Sequence, residues 1–124
     1  FSSCNLMSIV IPDSVKEIDD EAFKDCKNLQ DVVLSNSIRR IQKTTFSGCI
    51  NLKSIKIPEN VIEIQTNAFF GCLSLRYVSF PIRIQIIDDF SFGNCSSLRT
   101  VWIPNNVMIS SFAFPHETKV YIKL

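Results

Sequence analysis

Five cysteines, Cys4, Cys26, Cys49, Cys72 and Cys95, stand at intervals of 22, 23, 23 and 23 residues. Thiols can ligate zinc, pair as disulfides or act as nucleophiles, and each chemistry sets a spacing. Zinc sites usually present close pairs such as C-x2-C; here no two cysteines are nearer than 22 residues. A Cys–His nucleophile would have to use His116, the only histidine, beside Pro115 in a divergent tail. The acidic doublets Asp19-Asp20 and Asp88-Asp89 suit solvated turns better than a cation site. Asn94-Cys95-Ser96 has the form of a glycosylation acceptor, usable only if Asn94 faces solvent. The chain contains neither G-x-x-x-x-G-K nor G-x-G-x-x-G. No catalytic residue, cofactor or metal site is expected, and the chain is not read as an enzyme.

The even interval says more than the thiols do. Leu29, Leu52, Leu75 and Leu98 each follow a cysteine by three residues. Apolar pairs follow at six and eight: Val32 and Leu34, Ile55 and Ile57, Val78 and Phe80, Val101 and Ile103. Ile9 and Ile11 match them one place early, because the first unit is one residue short. Pro12, Pro58, Pro81 and Pro104 come next, with Ser35 in the equivalent place once. V-x-x-I spacing then gives Val15 and Ile18, Ile38 and Ile41, Val61 and Ile64, and Ile84 and Ile87. Phe23, Phe46, Phe69 and Phe92 complete the unit before the next cysteine.

Alternation at period two predicts a short strand with one face inward, and the proline ends it, having no N–H for a ladder. The A-F-x-x-C stretch is expected to form a short helical or 3₁₀ turn. A 23-residue period falls in the leucine-rich repeat range of about 20–29 residues. The expected fold is an α/β repeat, a leucine-rich repeat solenoid of about five units. A short parallel sheet would form one face, with turns or short 3₁₀ or helical segments on the other. One unit cannot bury its own apolar side, so stacked units share a core.

Residues 1–124 are read as one such domain. Phe1 precedes Cys4 by the offset of Phe23 from Cys26, so the chain is expected to be a fragment of a longer array. Its uncapped ends could self-associate. In the tail, Val120, Ile122 and Leu124 alternate as a last strand that closes the stack or leads into more repeats.

Stacking sets the cysteines in a column about 4.8 Å apart, the spacing of paired strands. Buried free thiols acting as small hydrophobes fit this column best, with occasional bridging and an oxidation-sensitive column as alternatives. The phenylalanine column is core, and Phe69→Ala should cost about 3–5 kcal/mol.

If places six and eight face inward, five and seven face out. Place seven carries Val10, Val33, Lys56, Ser79, Trp102 and, by extension, Tyr121; place five carries Ser8, Asp31, Ser54, Tyr77, Thr100 and Lys119. Arg76 and Arg99 flank them at place four. Trp102 is the only tryptophan, and tryptophan, tyrosine and arginine are enriched at binding hot spots. Arg76, Tyr77, Arg99, Trp102, Lys119 and Tyr121 are therefore the candidate protein-binding residues. The competing reading is an aromatic ladder that merely stabilises the sheet.

Thirteen basic and twelve acidic residues give a net charge of +1, which advertises no nucleic-acid partner. No apolar run approaches the roughly 20 residues of a membrane span. The pattern IPENVIEIQTNAFFGCLSLRYV resembles the BspA-type, or Treponema pallidum type, leucine-rich repeats, over almost the whole chain. Ser35 for proline, Thr45 for alanine and the tail beyond Phe114 depart from it. The resemblance implies a non-enzymatic adhesion or recognition module at the cell surface, with protein partners such as host extracellular-matrix or plasma proteins. A structural spacer and a cytoplasmic interaction scaffold are the alternatives.

Overall fold

The computed structural model describes residues 1–124 as ten short strands and no helix. In chain order they are β1 (Ser8–Val10), β2 (Asp31–Val33), β3 (Arg40–Ile41), β4 (Ser54–Lys56) and β5 (Glu63–Ile64). Then come β6 (Tyr77–Ser79), β7 (Ile86–Ile87), β8 (Thr100–Pro104), β9 (Met108–Ile109) and β10 (Lys119–Lys123). Every pairing is parallel, and from β1 to β7 each rung joins residues one repeat apart: Ile9 faces Val32, Ile55 faces Val78, and Ile64 faces Ile87. The tail shortens the last step, so Thr100 faces Lys119.

The strands form two columns. The expected column contains β1–β2, β4–β6 and β8–β10 as separate ladders. Strands β2 and β4, and likewise β6 and β8, lie side by side without a ladder between them. The V-x-x-I stretch supplies a second, continuous sheet β3–β5–β7–β9, on the side where only turns or helical segments were expected. Each of its strands is two residues long, and its second residue points inward, as Ile41, Ile64 and Ile87 do.

The expected helical or 3₁₀ segments do not form; turns replace them. Main-chain bonds such as Ala22 N to Asp19 O (3.2 Å) and Cys26 N to Phe23 O (3.2 Å) close single turns that do not continue. Left-handed residues interrupt them twice per unit. Glu21, Thr44, Asn67 and Phe90 have φ of 62°, 61°, 60° and 56°, and Asp25, Gly48, Gly71 and Asn94 have 58°, 76°, 74° and 57°. A right-handed helix cannot pass through such residues. The freed N–H groups donate to the next unit instead, Glu21 to Lys43 (3.1 Å), Phe23 to Thr45 (2.9 Å) and Asp25 to Ser47 (2.7 Å). Backbone polar groups on the turn side are thus satisfied alternately within a repeat and between repeats.

The core runs along the axis of the stack. Phe1, Phe23, Phe46, Phe69, Phe92 and Phe114 form one column with centroids 5.1–5.8 Å apart and rings within 9° of parallel. Phe46, Phe69 and Phe92 are fully buried. The departures from the repeat pattern are accommodated by hydrogen bonds. Buried Ser35 donates to the Val15 carbonyl at 2.6 Å and accepts from Ser37 N at 3.0 Å. Buried Thr45 donates to the Gln42 carbonyl at 2.7 Å.

Free thiols hold for Cys49, Cys72 and Cys95, all buried, but not for the first pair. Cys4 and Cys26, with Cα atoms 4.7 Å apart, are joined by a disulfide. This bridge lies at the end of the stack, where Cys4 is only half-buried and the unit is one residue short.

Candidate functional site

Strand alternation places the candidate residues. In β6, Val78 is buried between Tyr77 and Ser79; in β8, Val101 and Ile103 are buried while Thr100 and Trp102 face solvent. Tyr77 is 62% exposed, Trp102 52% and Tyr121 43%. Arg76, Arg99 and Lys119 are exposed as well. The register of β8 with β10 sets Tyr121 opposite Trp102, and their rings stack at 4.7 Å with planes 21° apart.

A cleft of about 660 Å³ opens on this face where β6 and β8 lack a ladder. Arg76, Tyr77, Arg99 and Trp102 line it together with Thr100 and Lys123. Tyr121 joins through its stack on Trp102, while Lys119 lines an adjoining hollow of about 570 Å³ that shares Arg99 and Thr100 with the cleft. The six candidates thus lie on one face, four of them in one cleft. Lys123 was not among them; its signal is its place two residues beyond Tyr121, which alternation points the same way. Val10 and Val33, 71% and 57% exposed, face out from the other end of the column.

The cations of the cleft have no anionic partner. Arg40 Nε with Glu63 Oε1, at 3.2 Å between β3 and β5, is the one ion pair in the chain. Main-chain bonds tie the rungs beneath the charges: Arg76 N donates to the Lys53 carbonyl at 2.9 Å, and Lys119 N to that of Arg99 at 2.9 Å.

The other chemistry-bearing residues stay apart. His116 is exposed, and no three His, Cys, Asp or Glu residues converge on a metal-sized site. Burial and the neighbouring Glu63 carboxylate raise the Asp88 pKa, while Asp89 hydrogen-bonds Ser110. Asn94 faces solvent, but its left-handed φ already accounts for asparagine there. Cys49 is pushed up to about 12 by burial, and Cys72 is raised by burial and by the adjacent Cys95. Neither thiol is a nucleophile at neutral pH.

Parallel ladders rising one repeat at a time, with one variable face, define a leucine-rich repeat solenoid. The chain belongs to the BspA type leucine rich repeat family, which matches residues 1–121 in six copies. That is one more copy than the cysteine spacing counts, since the shortened tail completes a sixth strand in the first column. A leucine rich cell surface protein from Faecalibacterium prausnitzii is 39% identical at TM-score 0.74, over 86% of this chain and 26% of that one. The T. pallidum leucine rich repeat protein is 34% identical at TM-score 0.79, over 83% and 50%. The pneumococcal vaccine antigen PcpA is 25% identical at TM-score 0.83, over 94% and 30%. The chain therefore spans at most half the length of these structures. A comparison with curated protein sequences finds no match. Folds of this type typically serve as non-enzymatic interaction scaffolds, and no helix here is long and apolar enough to cross a membrane.

Proposed function

We propose that residues 1–124 act as one non-enzymatic protein-binding module, displayed at the cell surface, that engages its partner through the outer face of β6, β8 and β10. The observation that carries this reading is the Trp102–Tyr121 stack. Two large aromatic rings are held in a fixed geometry on a solvent face, with Tyr77 across a cleft from Trp102. Rigid exposed aromatics beside arginines supply contact area with little side-chain entropy to lose. A sheet-stabilising ladder would account for the stack but not for Tyr77, whose strand partner is Ser54.

Surface display is supported by the names of two relatives, a cell surface protein and a vaccine antigen. An adhesive role toward host matrix or plasma proteins extends the same reading. Biolayer interferometry against a panel including fibronectin and fibrinogen tests it, with Y77A/W102A alongside and its fold checked by thermal melting. Saturable binding lost in the folded double variant is the expected result. Absence of binding across the panel would favour a spacer or an intracellular scaffold.

A further inference from the structure

We infer that the cleft between β6 and β8 recognises a short acidic stretch of the partner protein, a conclusion that rests on the binding-module reading and specifies its chemistry. Lys53, Arg76 and Arg99 occupy the same place in three successive repeats, so like charges follow one another along the first column. Lys123 adds a further cation to the cleft, and no carboxylate lines it. A stack of unpaired like charges is unfavourable and is relieved by anions from outside.

The charge is also segregated along the chain. Residues 1–38 carry seven acidic and three basic side chains, whereas residues 39–124 carry ten basic and five acidic ones. In the first column the cationic track ends at Gln30 and Asp31, the latter exposed on β2. A long uniform polyanion lying along the column would therefore meet a repulsive end. A short acidic segment across β6 and β8 would not. The volume, about 660 Å³, is that of a site for a few side chains. Two arginines, rather than lysines, offer planar forks that match carboxylates in pairs. The exposed faces of Tyr77 and Trp102 take the apolar parts of the same segment.

Trp102, the only tryptophan, reports directly on the cleft. Its fluorescence would be titrated with a synthetic peptide alternating Glu and Ser, with the Gln–Ser counterpart, and with a heparin fragment. The expected result is a saturable change with the glutamate peptide and none with the glutamine one. Affinity should fall at least tenfold in R76Q/R99Q and also on raising the salt. Lys16→Gln, a surface change remote from the cleft, should leave binding as it was. Equal responses to the two peptides, or full binding by folded R76Q/R99Q, would overturn the inference. So would a response to heparin alone, which would move the site to a polysaccharide. A panel protein that still binds R76Q/R99Q but not Y77A/W102A would leave the module standing and remove the acidic segment.

Discussion

The Cys72 thiol donates to the Phe46 carbonyl across 3.2 Å, and Cys49 and Cys95 repeat that contact with Phe23 at 3.2 Å and Phe69 at 3.1 Å. Each thiol thus bonds back across one full repeat. This accounts for a cysteine recurring where another small apolar residue would fill the volume but not reach the carbonyl.

Alkaline sensitivity follows from the burial of these thiols. Cys49 titrates at about 12 in the folded chain, above the ordinary thiol value. A raised folded pKa gives stability that is complete below the unfolded pKa and declines as pH rises through the folded one. The window therefore runs from about pH 9 to about 12, at about 1.4 kcal/mol per pH unit for each such thiol. Urea midpoints should be flat between pH 7 and 8 and fall steeply above 9. In C49A/C72A that alkaline fall should shrink even if the variant is less stable at pH 7. An Ellman titration should find no fast thiol in the native protein and three in denaturant, rising to five after reduction.

Much of this architecture is legible in the sequence because it is written by side chains that the core requires. Phe23, Phe46, Phe69 and Phe92 recur since a stacked ring must meet another ring. Tyr121 could be placed opposite Trp102 for the same reason, as alternation fixes the outward positions. The second sheet leaves a fainter mark, because strands such as Glu63–Ile64 have one inward residue each and so no alternation to detect. The turns are illegible because φ, not side-chain type, is what repeats: Glu21, Thr44, Asn67 and Phe90 share a conformation and little else. The missing ladder between β6 and β8, over which the cleft opens, depends on neighbouring rungs and leaves no periodic signature.

Thr44 sits in the left-handed region at φ 61°, where a β-branched residue is strained, while Asn67 holds the same place one unit on. Thr44→Asn should therefore stabilise the chain by about 1 kcal/mol, and Asn67→Thr should cost a similar amount. Opposite shifts of the thermal midpoint, by a few degrees each, are the expected outcome. Shifts of the same sign would mean that side-chain contacts rather than φ decide these positions.

Ser91 occupies the place held by Ala22, Ala68 and Ala113 in other units, and it is fully buried. Its hydroxyl, unlike that of Thr45, finds no hydrogen-bond partner. Removing an unsatisfied buried hydroxyl recovers its desolvation penalty, about 1–3 kcal/mol, less the small packing loss of one atom. Ser91→Ala should thus raise the melting temperature, whereas Thr45→Ala, which breaks a satisfied bond, should gain nothing or lower it. A destabilised Ser91→Ala would show that the hydroxyl is bonded after all.

Asp88 offers a test on the acid side. Desolvation raises its pKa first, and the Glu63 carboxylate adds to it, so the ionised form is disfavoured in the fold. Its contribution to stability is complete below the unfolded pKa and is lost as pH rises through the higher folded value. Asp88→Asn removes that loss and should stabilise the protein at pH 7, by up to about 0.5 kcal/mol because water still screens a group that is only partly buried. The gain should vanish near pH 3, where both forms are uncharged. It should also shrink in a Glu63→Gln background, measured as a double-mutant cycle of urea midpoints. A gain that persists unchanged at pH 3 would point to packing or hydrogen bonding by the amide, not to relief of charge.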